Sequence, residues 1–157
     1  MTKIIIWDDP KTKITSVMRP AGGKTVEFCV ANYLPEGITD YKIVEDSVLP
    51  ADRTFRNAWR KDGETVIEDL TESKKLAHEK RRYDRTKEFK PYDYVVMKQI
   101  PGSDTAAAEV ERVKIRDKYA TMQTSIDNAS DTATIRTALG YHESIKSKYN
   151  PPHKCIK

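Results

Sequence analysis

The chain has 157 residues, enough for one ordinary domain or two small units sharing a modest core. One third of it is charged (33%) and the mean hydropathy is −0.71, which leaves a lean apolar supply but not the composition of a disordered chain. The net charge of +4, from 28 basic and 24 acidic residues, is too small and too mixed to announce a nucleic-acid binder. No window approaches the length of a membrane span, and the opening MTKIIIWDD carries too short an apolar run for a signal peptide. A soluble protein outside the signal-peptide route, with no membrane partner, is expected.

In chain order, residues 3–7 are a β-branched run and Asp8-Asp9-Pro10-Lys11 is turn chemistry. Residues 13–18 read as a second strand, giving a hairpin over 3–18. Pro20-Ala21-Gly22-Gly23 then breaks the chain. The stretch Gly23-Lys24-Thr25 matches the end of a phosphate-binding loop, G-x-x-x-x-G-K-[ST]. Its first glycine would fall at Met18, which cannot make the tight turn, and no series of βαβ units follows. A glycine turn leading into a helix is the better reading. Thr25 is placed to cap that helix, which runs through Val26, Cys29, Val30 and Tyr33, with Glu27 in its first turn. Pro35-Glu36-Gly37 ends it, and residues 41–44 form a third strand.

The segment LPADRTFRNAW at 49–59 is denser in information. Asp52 or Thr54 is placed to cap a turn, and Phe55 and Trp59, four residues apart, are expected on one helical face. They would plug the junction between the β unit and the helices, with Arg53 and Arg56 bonding loop carbonyls or carboxylates. The competing reading is a partner-docking knuckle, since Arg and Trp are favoured interface anchors. Lys61-Asp62-Gly63-Glu64 is a turn and residues 65–67 are strand-like.

Residues 71–90 are basic, with Glu72, Glu79, Asp84 and Glu88 interleaved and only a thin stripe of Leu70, Leu76, Ala77 and Tyr83. Pro91 is expected to interrupt this helix, with a short apolar helix continuing from Tyr92 to Ile100. Asp104 is placed to cap a longer helix in which Ile115, Tyr119, Met122 and Ile126 step by +4, +3, +4 along one face. A break at 128–130 precedes a final short helix over 131–139, and residues 141–157 read as an extended tail. The expected fold class is α+β: a small N-terminal β-β-α-β unit followed by a C-terminal helical hairpin. The divisions are 1–59, 60–140 and 141–157.

Catalytic constellations are not legible. His78, His142 and His153 have no metal-ligand spacing, so no metal and no cofactor are expected. Cys29 falls on a buried helical face, Cys155 lies in the tail, and neither belongs to a C-x-x-C pair. No G-x-S-x-G elbow occurs. For the basic run 74–90 a solvated helix laced with ion pairs is the favoured reading over a nucleic-acid face.

Residues 44–59, with D-R-T-F-R-N-A-W at their end, resemble a segment of small proteins encoded by tailed bacteriophages near their tail and tail-fibre genes. The similarity extends over most of residues 3–139, including the basic helix at 76–82 and the stretch 92–98; from Gly140 onward the pattern is left. The resemblance implies a non-catalytic structural component or assembly chaperone of the tail or its fibres, made in the host cytoplasm and located at the virion tail. Its partners would be a tail-fibre or baseplate protein and further copies of itself. A nucleic-acid-associated phage protein using 74–90, or a small host-modulating binder, are the other readings. Unpaired strand edges place the expected contact within residues 1–59, with Lys3, Lys11 and Lys13 guarding against self-pairing.

Overall fold

The structure, a computed structural model, describes residues 2–99 and 101–141. From residue 142 on, the expected tail, with His142, His153 and Cys155, lies outside the described residues. The fold is α+β, and the chain divides after Ser73 into two compact units.

The first unit is organised by one strand, β1 (Lys3–Asp8), in which Ile4, Ile5, Ile6 and Trp7 are all buried. A strand with one wet face buries every second side chain; a strand covered on both faces buries them all. β1 is the centre of a three-stranded antiparallel sheet, flanked by β2 (Thr15–Met18) and β3 (Tyr41–Glu45). Ile4, Ile6 and Val44 pack with Trp59 and Val66, supplied by a second hairpin of β4 (Trp59–Asp62) and β5 (Thr65–Glu68). Ile5 and Trp7 pack on the other face with Cys29 of α1 (Val26–Tyr33), where Val26, Val30 and Leu34 are partly buried. The sheet is thus covered by a helix on one side and a hairpin on the other.

Local chemistry explains the connections. Asp9 Oδ1 accepts from the backbone N–H of Lys11 (2.9 Å) and Thr12 (2.8 Å), an Asx turn whose bonds hold its carboxyl below the usual range. Lys13 has φ +60°, so it belongs to the turn, and the strand expected from 13 begins at Thr15. Asp8 Oδ1 accepts from Thr15 Oγ1 at 2.7 Å and from the Lys61 N–H at 3.0 Å, tying the first hairpin to β4. Gly63, at φ +60°, opens the two-residue loop between β4 and β5.

Three expectations are corrected here. Trp59 is the first residue of β4 and Phe55 precedes a single 3₁₀ turn (Arg56–Ala58), so the two share burial but not a helical face. The residues that cluster with Trp59 all lie in the first unit, so it belongs to that unit's own core. The division therefore falls after Ser73, not at 59, because the β4–β5 hairpin completes the first core.

In the second unit the long helices are α2 (Leu70–Lys98), whose first turn still belongs to the first unit, and α3 (Thr105–Asp127); α4 (Thr132–Ala138) follows. Pro91 does not interrupt α2. The proline removes one N–H and displaces the Lys87 carbonyl, but both residues are exposed, so water can satisfy that oxygen. Asp104 and Asp131 cap α3 and α4 by accepting from Ala107 N and Thr134 N. Ile115, Tyr119 and Ile126 are buried along the expected face of α3, with Met122 half-buried.

The α2–α3 hairpin is fastened largely by polar contacts in antiparallel register. Lys74 Nζ donates to the Asp127 carbonyl (2.8 Å) and His78 Nε2 lies 2.9 Å from Asp127 Oδ1. Arg81, buried, reaches the Tyr119 carbonyl at 3.4 Å. Glu88 Oε1 accepts from Tyr119 Oη (2.8 Å) and Lys118 Nζ (2.6 Å). The lysine first, then the tyrosine, hold the Glu88 carboxyl below its usual range, while burial and the Glu88 bond push the Tyr119 phenol up. Arg112 Nε approaches Asp93 Oδ1 to 2.9 Å, paired in charge although the N–H is not aimed at the oxygen.

Candidate partner-contact surface

Two exposed features of the first unit are built on its rigid core. The first is the stretch between β3 and β4. A 3₁₀ turn (Asp46–Val48) closes with Leu49 N bonded to the Asp46 carbonyl at 3.3 Å, and Val48 and Leu49 pack against the Trp59 cluster. Asp52 Oδ1 then accepts from Thr54 N (2.8 Å), Arg56 N bonds the Arg53 carbonyl (3.1 Å) and Ala58 N bonds the Phe55 carbonyl (2.8 Å).

These successive turns sort the D-R-T-F-R-N-A-W motif by side chain. Phe55, Ala58 and Trp59 go inward; Arg53 and Arg56 remain exposed. The Arg53 guanidinium lies over the Trp59 ring at 5.8 Å, a cation–π contact at the edge of the core. Its pKa is lowered, by partial burial first and then by the charges of Arg56 and Arg19, so three guanidinium groups share one neighbourhood. Arg19 Nη1 is itself paired with Asp46 Oδ2 at 2.9 Å, both side chains partly exposed. Arg19 and Asp46 carry no motif signal, since their meeting is created by the sheet across 27 positions.

The second feature is the outer edge of β3. Asp46 N bonds the Thr2 carbonyl and Asp9 N bonds the Ile14 carbonyl, which fixes the parity of both ladders. Antiparallel ladders alternate, so even-numbered residues of β1 bond toward β3 and odd-numbered ones toward β2. On β3, Lys42 and Val44 bond inward, and the N–H and C=O of Tyr41, Ile43 and Glu45 face away from the sheet. Among the described strands none pairs with that edge. Lys3 lies on the central strand, so it does not guard an edge as expected.

Elsewhere the sequence-derived candidates resolve into packing. Gly22 and Gly23, at φ +63° and +73°, form the turn before α1, which Thr25 caps by accepting from Phe28 N. Lys24 Nζ bonds the Tyr33 hydroxyl and lies over the Phe28 and Tyr33 rings at 5.2 and 4.6 Å. Lys24→Ala is accordingly expected to cost no more than about 1 kcal/mol, the worth of an exposed cation–π contact. It should leave any nucleotide titration unchanged; a micromolar ATP affinity that this variant abolishes would overturn the reading of 19–28 as a turn.

Along α2, Lys80 pairs with Asp84 (2.7 Å), Lys87 lies over Tyr83, Arg85 over Phe89, and Arg81 is buried. The expected stripe is therefore half right: Ala77 is buried, but Tyr83 is exposed. Among the described residues no three of His, Cys, Asp and Glu gather as a metal site requires, and no helix is long and apolar enough to cross a membrane. A groove of the second unit, about 480 Å³, is lined in part by Asp84, Lys87, Glu88 and Lys118, of which Glu88 and Lys118 already pair.

No family model, no curated protein and no solved structure matches the chain.

Proposed function

We propose that this is a non-catalytic accessory or assembly protein of a bacteriophage tail and its fibres, acting by protein–protein contact through its N-terminal unit. The reading rests on the resemblance carried by residues 44–59. The observation that carries it further is the sorting of that motif, with Arg53 and Arg56 exposed on turns anchored by buried Phe55 and Trp59. Guanidinium groups held on a rigid base are preorganised donors for carboxylates or carbonyls of a partner, and arginine is enriched among interface anchors. The partner is a tail-fibre or baseplate protein presenting an acidic or carbonyl-rich patch.

The test is co-expression with the fibre and baseplate proteins, followed by pull-down of the full chain. Parent protein is expected to capture one of them. Arg53→Glu with Arg56→Glu is expected to weaken capture by about tenfold or more while stability falls by no more than about 1 kcal/mol, the worth of the lost Arg53–Trp59 contact. Capture that is indifferent to both charge reversals would remove the arginines from the interface. Mass spectrometry of purified virions separates the two forms of the proposal, since an assembly chaperone need not remain in the particle.

A further inference from the structure

The outward edge of β3 is complementary to itself. We propose that two copies of the chain pair β3 against β3, antiparallel about a two-fold axis through Ile43, so that the two three-stranded sheets become one continuous sheet.

The register follows from parity and charge. Only the groups of Tyr41, Ile43 and Glu45 face outward, so a second strand bonds there only if its own outward residues stand opposite them. With Ile43 on the axis, Tyr41 faces Glu45 of the second copy, Ile43 faces Ile43, and Lys42 faces Val44 on the other side of the sheet. Every outward N–H and C=O of the strand is then used. A shift by two residues one way sets Lys42 directly opposite Lys42, a like-charge pair that disfavours the register. The same shift the other way leaves Tyr41 outside the ladder and sets Ile43 against Glu45.

Side chains favour the same arrangement. Ile43 is 42% exposed although it lies on the apolar strand face opposite Ile5, and its own copy would cover it. Tyr41 and Glu45 lie on the same strand face, and this register sets the tyrosine, a hydroxyl donor, across from the glutamate carboxylate of the second copy. β3 is lightly defended as an edge: it has no proline, and its two charges, Lys42 and Glu45, face valine and tyrosine in this register. The result is an isologous contact, the same patch on both copies.

The experiment is light scattering and sedimentation of the full chain, without any other protein, over a range of concentrations. The parent is expected to show a monomer–dimer equilibrium. Ile43→Pro deletes the outward N–H on the axis while leaving the inner ladder to β1 intact, and Ile43→Lys places two ammonium groups together there. Each is expected to weaken dimerisation by about tenfold or more with far-ultraviolet circular dichroism unchanged. Should the proline variant fail to fold, the lysine variant decides, since position 43 is already half exposed. A parent that stays monomeric up to about 1 mM overturns the proposal and gives the edge to an extended segment of another protein, or to nothing. A dimer that survives Ile43→Lys overturns it as well. The outcome is independent of fibre capture, because no fibre protein is present.

Discussion

Trp59→Ala is expected to destabilise the first unit by about 3–5 kcal/mol, a large part of a folding margin of about 5–15 kcal/mol. The indole has no exposed surface and shares its cluster with Ile4, Ile6, Val44 and Val66, which come from three strands other than its own. Removing it leaves a void that β4 and β5 cannot close, since both are pinned at the Asp8–Lys61 bond and at the two-residue loop. Its Nε1 is buried without an acceptor among the described residues, so Trp59→Phe should cost less than Trp59→Ala: it keeps a ring and deletes an unmet donor. Urea titration followed by tryptophan-independent circular dichroism measures both, with the midpoint moving and the slope unchanged. An alanine variant that unfolds with the parent but loses its fibre partner would return Trp59 to the interface.

Ile5→Ala and Ile6→Ala are expected to cost comparable amounts, each about 2–5 kcal/mol. Both side chains are fully buried, one toward α1 and the other toward the β4–β5 hairpin. An ordinary edge or half-wet strand would show one severe and one mild substitution at neighbouring positions. Thermal melts of the two variants decide; a near-silent change at either position would mean that only one face of β1 is covered in solution.

What was legible in the sequence is what short-range chemistry enforces. Thr25 and Asp104 cap helices as read because a side-chain oxygen and an N–H three residues on meet wherever a helix starts; Asp131, read as the first residue of the last helix, is its cap by the same geometry. The spacing of Ile115, Tyr119 and Ile126 gave the buried face of α3, since helical periodicity is a property of the chain itself. Pro91 misled because the cost of a helical proline depends on whether the freed carbonyl meets water, which depends on exposure.

The candidate site divides along the same line. That 52–59 mixes core aromatics with arginines is plain from the residues. Which of them would face outward was not, because Phe55 and Trp59 have the spacing of a helical face and also fit a turn leading into a strand. Burial against Ile4, Ile6 and Val66 chose the strand, and those partners lie far along the chain. The meeting of Arg19 with Asp46, the division after Ser73 and the outward parity of Tyr41, Ile43 and Glu45 were likewise decided only by the tertiary structure. By itself the sequence determined the class, α+β, and the opening β-β-α-β order, because turn residues, caps and apolar periodicity act within a few residues; it missed β4 and split α2 at Pro91. Strand neighbours and ladder register are long-range choices, set by which faces can be covered at once, and no local pattern records them.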